Sequence, residues 1–195
     1  MIYAVHNTEN TSDAIDMDTL KLAEVLASKM PDDIDPIVYL VELRQKNDTL
    51  SEYWPEQMVF KYSGRYKKHS VDINILGSLI FFNGRAFDAM QGQLSSYGEF
   101  LKIEVEGDVN YLFNPLVFGE EDLALSEERY FNNMPTGYKN IMFKKEDVDK
   151  KVLFKSKLGG AFLYCNNEFV RVFNDHNLTG IQFTLIPDYN YKEEF

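Results

Sequence analysis

A run of alternating apolar and polar residues between positions 101 and 113 constrains the fold more than any other feature of the chain. The alternating apolar positions are Leu101, Ile103, Val105, Val109, Tyr111 and Phe113. Gly107-Asp108 lies between the two halves of the run and can form a two-residue turn. The pattern therefore predicts a β-hairpin with one buried face. A lone hairpin is only marginally stable in water, so further strands or helices must cover that face.

Two other segments predict units of strand, helix and strand. Residues 79–82 form an apolar run, followed over 85–97 by residues with one apolar helical face. Residues 161–164 form a second apolar run, followed by a short helix over 167–175 and a last strand at 181–186. An asparagine stands between strand and helix in both units. The shared plan is either an internal duplication or two instances of a common unit.

The N-terminal segment, residues 1–57, is acidic and has a weaker pattern. It predicts a short first strand and then a helix that ends by Ser28. Pro31 and Pro36 exclude a continuous helix beyond that point. Residues 37–43 form an apolar run that we interpret as a strand.

Together these elements predict an α+β fold, in which helices pack on an antiparallel or mixed sheet formed by residues 58–113 and 161–186. Residues 58–195 would form the core domain. The N-terminal segment would be a small lobe of its own or an extension of the sheet edge. A chain of 195 residues can bury a sufficient core without disulfides or a metal.

The charge of the chain restricts its partners. The formal net charge is −11, from 31 acidic and 20 basic residues. This sign disfavours nucleic acids and anionic membranes, and it favours a basic protein partner. The alternative is that the charge only serves solubility, as in many acidic cytosolic proteins. No stretch approaches 18 consecutive apolar residues, so none is expected to span a membrane. The N-terminus lacks the basic start of a signal peptide, and we expect a cytoplasmic protein.

Residues typical of catalysis are scattered. The three histidines are isolated, and the single cysteine, Cys165, follows an apolar run and is expected to be a small buried hydrophobe. The sequence contains no phosphate-binding glycine loop and no Gly-x-Ser-x-Gly motif. We therefore expect no catalytic residues, no cofactor and no metal, and favour a binding protein. The alternative is an enzyme of unrecognised class that uses carboxylates and tyrosines in a cleft.

Residues 61–69 form a basic run with interleaved tyrosines. Such a run can stack bases and neutralise phosphates, as a nucleic-acid adaptor would. The residues that would do so are Tyr62, Arg65, Tyr66, Lys67 and Lys68. The other interpretation is an exposed hairpin whose lysines protect a sheet edge, and the net charge favours this second interpretation.

The densest acidic stretch, residues 119–129, has three interpretations. Its acidic residues are Glu120, Glu121, Asp122, Glu127 and Glu128. Residues 134–137, which follow it, are interpreted as a loop. The acidic residues could form a divalent metal site, the acidic start of a solvated helix, or a docking surface for a basic partner. In the docking interpretation these residues form a charged rim around aromatic anchors. Tyr53 and Trp54, in a loop outside any apolar period, are the predicted anchors, unless Trp54 simply caps the core.

Residues from about 72 to 186 carry a resemblance to a known family. The matching stretches are Asp72-Ile73 with Leu79-Ile80-Phe81-Phe82-Asn83, the run from Phe87 through Ile103, Tyr111-Leu112-Phe113-Asn114, and Glu168-Phe169 with Gly180-Ile181-Gln182-Phe183. They resemble bacterial immunity proteins of polymorphic-toxin and contact-dependent competition systems. Asn83-Gly84 departs from the serine usual in the strand-to-helix turn of that family. The resemblance implies a protein without catalytic residues that neutralises a cognate toxin by stoichiometric occlusion.

Overall fold

The computed structural model describes residues 1–9, 13–63, 71–160 and 162–186, and within them the chain has the predicted α+β class. The helices are α1 (Thr19–Ala27), α2 (Pro36–Glu42), α3 (Gly84–Leu94), α4 (Lys145–Val148) and α5 (Asn167–Asp175). The strands are β1 (Ile2–Asn7), β2 (Val59–Phe60), β3 (Ile73–Leu76), β4 (Leu79–Phe82), β5 (Gly98–Val105), β6 (Asp108–Pro115), β7 (Glu127–Phe131), β8 (Met134–Asn140), β9 (Leu153–Lys155), β10 (Leu163–Asn166) and β11 (Ile181–Leu185).

The predicted hairpin is confirmed as β5 and β6, within a sheet of order β2-β5-β6-β4-β3. The prediction of a single buried face is wrong. Leu101 pairs with Leu112, so Leu101, Ile103 and Val105 face one core cluster, whereas Tyr111 and Phe113 lie on the opposite face against another. Only the β2–β5 pair is parallel. The turn lies one residue earlier than predicted, because Val105 pairs with Asp108 and leaves Glu106 and Gly107 between the strands. Both turn residues have positive φ, 51° and 89°. This is the backbone of the tight turn that matches the twist of the two strands, and glycine occupies one of its two strained positions.

A second sheet has the order β11-β1-β10-β9, and all of its pairs are antiparallel. The expectation of one sheet from residues 58–113 and 161–186 is therefore wrong. The N-terminal strand β1 also does not extend an edge, because it is hydrogen-bonded on both sides. Ala4 and Val5, which point to opposite faces of β1, are both buried, each in a different core cluster.

The two strand–helix–strand units are alike in that one further strand lies between the two strands that the helix connects. That strand is β6, which follows β5 in the chain, in the first unit and the N-terminal β1 in the second, so the chain connections differ. In the first unit β5, β6, β4 and β3 are neighbours in that order, and α3 connects β4 to β5. In the second unit β11, β1, β10 and β9 repeat the order, and α5 connects β10 to β11. Asn83 and Asn166 cap the two helices by accepting hydrogen bonds from backbone N–H groups of the first turn. Both helices pack in one core cluster shared by the two sheets.

Helices α1 and α2 cover the opposite face of the five-stranded sheet, in a separate core cluster. The predicted strand over residues 37–43 is wrong, since this segment forms α2. Asp35 accepts hydrogen bonds from the N–H groups of Ile37 and Val38, and Pro36 has the φ of a first helical residue. A short apolar run does not distinguish helix from strand by its period, and here the cap and packing decide.

The acidic stretch and the residues after it also differ from expectation. No helix begins in residues 119–129, and the predicted loop at 134–137 belongs to β8. Strands β7 and β8 form a hairpin joined by Asn132 and Asn133, whose φ angles are 48° and 62°. Asparagine tolerates this left-handed backbone better than most residues do, so Asn132-Asn133 is the turn signal that the sequence analysis missed.

Candidate partner-binding surfaces

The backbone of residues 120–122 runs antiparallel to residues 142–144. The Asp122 N–H donates to the Met142 carbonyl, and the Lys144 N–H donates to the Glu120 carbonyl. The Glu120 carboxylate forms an ion pair with the Lys144 ammonium at the surface. Asp122 accepts hydrogen bonds from two N–H groups of the turn that follows it. The carboxylates of Glu120 and Asp122 therefore have local structural partners, and their role in the charged rim of a docking surface stays a prediction.

Glu121 is the most strongly engaged residue of the acidic stretch. Its Oε1 accepts hydrogen bonds from the Ser156 hydroxyl at 2.9 Å and from the backbone N–H groups of Lys157 at 2.7 Å and Leu158 at 3.3 Å. The side chain is half-buried. Its carboxylate thus holds the loop after β9, and its position in the sequence gave no indication of this role.

Glu127 and Glu128 lie on β7, in the hairpin. The Glu127 carboxylate pairs with the Lys139 ammonium of β8 at 2.9 Å. The Tyr130 hydroxyl donates to Glu128, and this hydrogen bond raises the pKa of Tyr130. Neither interaction is buried, so both carboxylates also face solvent.

The β7–β8 hairpin, hereafter the hairpin arm, exposes large apolar side chains. Phe131 and Met134 face each other across its turn and are 66% and 64% exposed. Tyr130 is also exposed, as are Leu123 and Leu125 in the segment that leads to the arm. Exposed apolar clusters of this kind are typical of protein interaction sites. The sequence analysis did not identify this one, because it interpreted residues 134–137 as a loop.

The structure places Tyr53 and Trp54 at the edge of the cluster beneath α1 and α2. The Trp54 Nε1 donates to the Lys102 carbonyl of β5 at 3.0 Å, and the Tyr53 ring contacts that of Tyr39 edge-on, with centroids 5.9 Å apart. Both side chains are half-buried. This arrangement matches the interpretation that Trp54 caps the core, and the role of either residue as a partner anchor stays a prediction.

Negative charge is concentrated in the N-terminal segment. Twelve of the 31 acidic residues but only four of the 20 basic residues lie in residues 1–57, which therefore contribute −8 of the net charge of −11. Ten of these twelve acidic residues are exposed. Of these ten, Glu24 lies in α1, Asp18 and Asp35 cap the two helices, and the other seven lie in the segments before, between and after the helices.

Asp72 is a buried carboxylate that sequence analysis did not single out as a site. It accepts hydrogen bonds from Arg85 Nε, from Asn83 Nδ2, and from both the N–H and the hydroxyl of Thr179, at 2.9 to 3.0 Å. Burial by itself would raise the pKa of Asp72, but these hydrogen bonds and the Arg85 charge outweigh burial and hold it below its ordinary value. Arg85 also donates to the carbonyls of His176 and Asn177. The cluster therefore joins α3 to the end of α5.

Lys155 is a buried cation at the end of β9. Its Nζ donates to the carbonyls of Leu43, at 2.8 Å, and Lys46, and lies 4.7 Å from the centre of the Phe118 ring. Burial lowers its pKa to about 8. Cys165 is fully buried, as expected, and burial raises the pKa of its thiol.

The part of the chain that the structure describes bears on metal ligands, membrane-spanning helices and the basic run. There, no group of three or more His, Cys, Asp or Glu side chains could hold a metal ion. No helix among the described residues combines the length and apolar character needed to cross a membrane. Within the basic run, the Tyr62 hydroxyl donates to Asp108. Arg65, Tyr66, Lys67 and Lys68 lie outside the described residues.

Comparison with known proteins adds no relative: a scan of the chain against protein-family models matches no family, and a search of curated proteins returns no match. The resemblance of residues 72–186 to immunity proteins therefore stays a prediction.

Proposed function

We propose that this chain is a cytoplasmic immunity protein that binds a cognate bacterial toxin with a basic surface and neutralises it by stoichiometric occlusion. The observation that carries the proposal is the charge of the N-terminal segment, which contributes −8 of the net −11 and has ten exposed acidic residues. The resemblance over residues 72–186 supports the same function.

The physical argument begins with the toxin. A toxin that acts on nucleic acid needs a basic surface, because phosphate contacts dominate that affinity. An acidic protein placed over such a surface blocks it without any chemistry of its own. Opposite charges also accelerate the encounter by roughly ten- to a thousandfold, which suits a protein that must silence a toxin as soon as it is made.

The proposal predicts that a gene beside this one encodes a toxin domain, and it is tested by co-expression of the two. We expect survival of cells that otherwise die, and a one-to-one complex with a catalytically inactive form of the toxin domain. The association rate should fall steeply as salt is added, because added ions screen charge steering. Failure to protect, together with absence of a complex at low salt, would refute the proposal.

A further inference from the structure

Helix α2 leaves an aliphatic surface open to solvent. Ile37, Val38 and Val41 are 43%, 50% and 49% exposed. Leu40 and Leu43 of the same segment are buried in the cluster beneath α1 and α2. At the helical repeat of 3.6 residues the three exposed residues lie together on the side away from this cluster. We call these three residues the α2 patch.

The α2 patch has no role in holding its own helix. A surface helix ordinarily has polar residues on its outer face, and β-branched residues lower helix propensity. The helix is held instead by the Asp35 cap, by Pro36 and by its two buried leucines. Three neighbouring aliphatic side chains in water at such a place are typical of a surface that a partner covers.

Acidic residues adjoin the α2 patch in the chain. Asp32 and Asp33 are exposed in the turn that precedes the helix, and Glu42, which pairs with Lys46, lies at its end. With Arg44 and Lys46 after the helix included, residues 32–46 have a formal net charge of −2, within an N-terminal segment of −8. An apolar centre within a charged surround is the usual arrangement of a protein interface, in which the centre supplies affinity and the rim supplies approach speed.

We infer that the α2 patch and the acidic residues around it form the docking surface for the basic partner. This inference rests on the proposed function and places the toxin on the N-terminal helical layer. The charge favours a basic partner over two other occupants. A second copy of this chain would bring two acidic segments together, and an anionic membrane would repel the acidic segment. The partner surface should carry lysine or arginine side chains around an apolar contact.

The hairpin arm is the competing surface, and its charge distinguishes it from the α2 patch. It exposes larger apolar side chains, but residues 127–140 contain two acidic and two basic residues and have no formal net charge, against −2 for residues 32–46. The acidic residues 120–122 ahead of the arm already bind Lys144, Ser156 and backbone N–H groups. An uncharged surface gives no preference for a basic partner. The arm therefore serves as the matched comparison for the α2 patch.

The test compares double variants for binding to the catalytically inactive toxin domain encoded by the neighbouring gene. Val38→Gln/Val41→Gln should dissociate at least tenfold faster than the unaltered chain. Its thermal midpoint should be unchanged or higher, since glutamine has the better helix propensity. Phe131→Gln/Met134→Gln, on the hairpin arm, should bind as the unaltered chain does.

Charge is tested in the same assay. Asp32→Lys/Asp33→Lys should slow association at low salt and weaken its dependence on salt. Asp88→Lys/Glu104→Lys alters two exposed acidic residues outside the N-terminal segment by the same total charge and should have a much smaller effect. This comparison separates local charge from net charge.

Each outcome decides between the two proposals. If the unaltered chain binds and both N-terminal variants bind equally well, the docking surface is elsewhere while the proposed function stands. Loss of binding only in the hairpin-arm variant would overturn the inference in favour of that arm. A dimer of the chain alone that Val38→Gln/Val41→Gln abolishes would assign the α2 patch to self-association. If the unaltered chain neither protects nor binds, the proposed function fails and this docking surface fails with it.

Discussion

Replacement of Glu121 by alanine should destabilise the fold, whereas the same replacement of its neighbour Glu120 should not. Reversal of Glu120, Glu121 and Asp122 together is the substitution that the sequence alone suggests for testing a charged rim. This triple variant should also lower the stability of the fold, because Glu121 holds the loop after β9. Single substitutions therefore separate the structural role from any role in binding.

The expected magnitude follows from the three hydrogen bonds to Glu121 Oε1. The two shorter bonds, at 2.7 and 2.9 Å, contribute about 1 kcal/mol each, and the bond at 3.3 Å contributes less. The loss is therefore about 2 kcal/mol. For a chain of this size each 1 kcal/mol lowers the melting temperature by about 2–4 °C, so a fall of about 4–8 °C is expected.

The assay is thermal unfolding of the two alanine variants beside the unaltered chain. Glu120→Ala removes only the exposed ion pair with Lys144, and its melting temperature should change by less than about 2 °C. Urea unfolding should show the same order. If Glu121→Ala melts within about 2 °C of Glu120→Ala, the carboxylate does not hold the loop and the reasoning is wrong.

Three further predictions concern buried groups. The native pKa of Asp72 lies below its ordinary value, so the stability that it contributes is present above about pH 4 and is lost as pH falls through the native pKa. Asp72→Asn should therefore reduce the fall in the free energy of unfolding that urea titrations measure between about pH 5 and about pH 2. The native pKa of Lys155 is about 8, below the ordinary 10.5. Between about pH 8 and pH 10.5 the unfolded chain therefore holds a proton that the native chain lacks, and the free energy of unfolding should rise with pH over this range. Lys155→Met should remove that rise, which a difference between the two urea titrations would show. Gly180→Ala should lower the free energy of unfolding by roughly 3 kcal/mol or more, because φ is 108° and a Cβ would lie 2.0 Å from the Ile73 carbonyl oxygen. Gly92→Ala, in an open position of α3, should be neutral or stabilising in the same thermal assay.

Local sequence determined the elements whose signals lie within a few residues. The alternation from Leu101 to Phe113 predicts β5 and β6 because side chains of a strand point to alternate faces, whatever the rest of the chain does. Asn83 and Asn166 cap helices through N–H groups two or three residues away. The burial of Cys165 follows from its apolar neighbours. The net charge, and its concentration in residues 1–57, can also be counted directly.

Tertiary structure decided everything that depends on a distant partner. Strand β1 is interior because Val5 pairs with Leu163 on one side and Phe183 on the other. Residues 37–43 have a run that suits either strand or helix, and packing of Leu40 and Leu43 beneath the helical layer selected helix. That choice also exposed the α2 patch. Glu121 and its partners lie about 35 residues apart, so the acidic stretch alone could not reveal which of its carboxylates holds a loop. A sequence states where charge and apolar groups lie along the chain, but only long-range packing decides which of them water or a partner can reach.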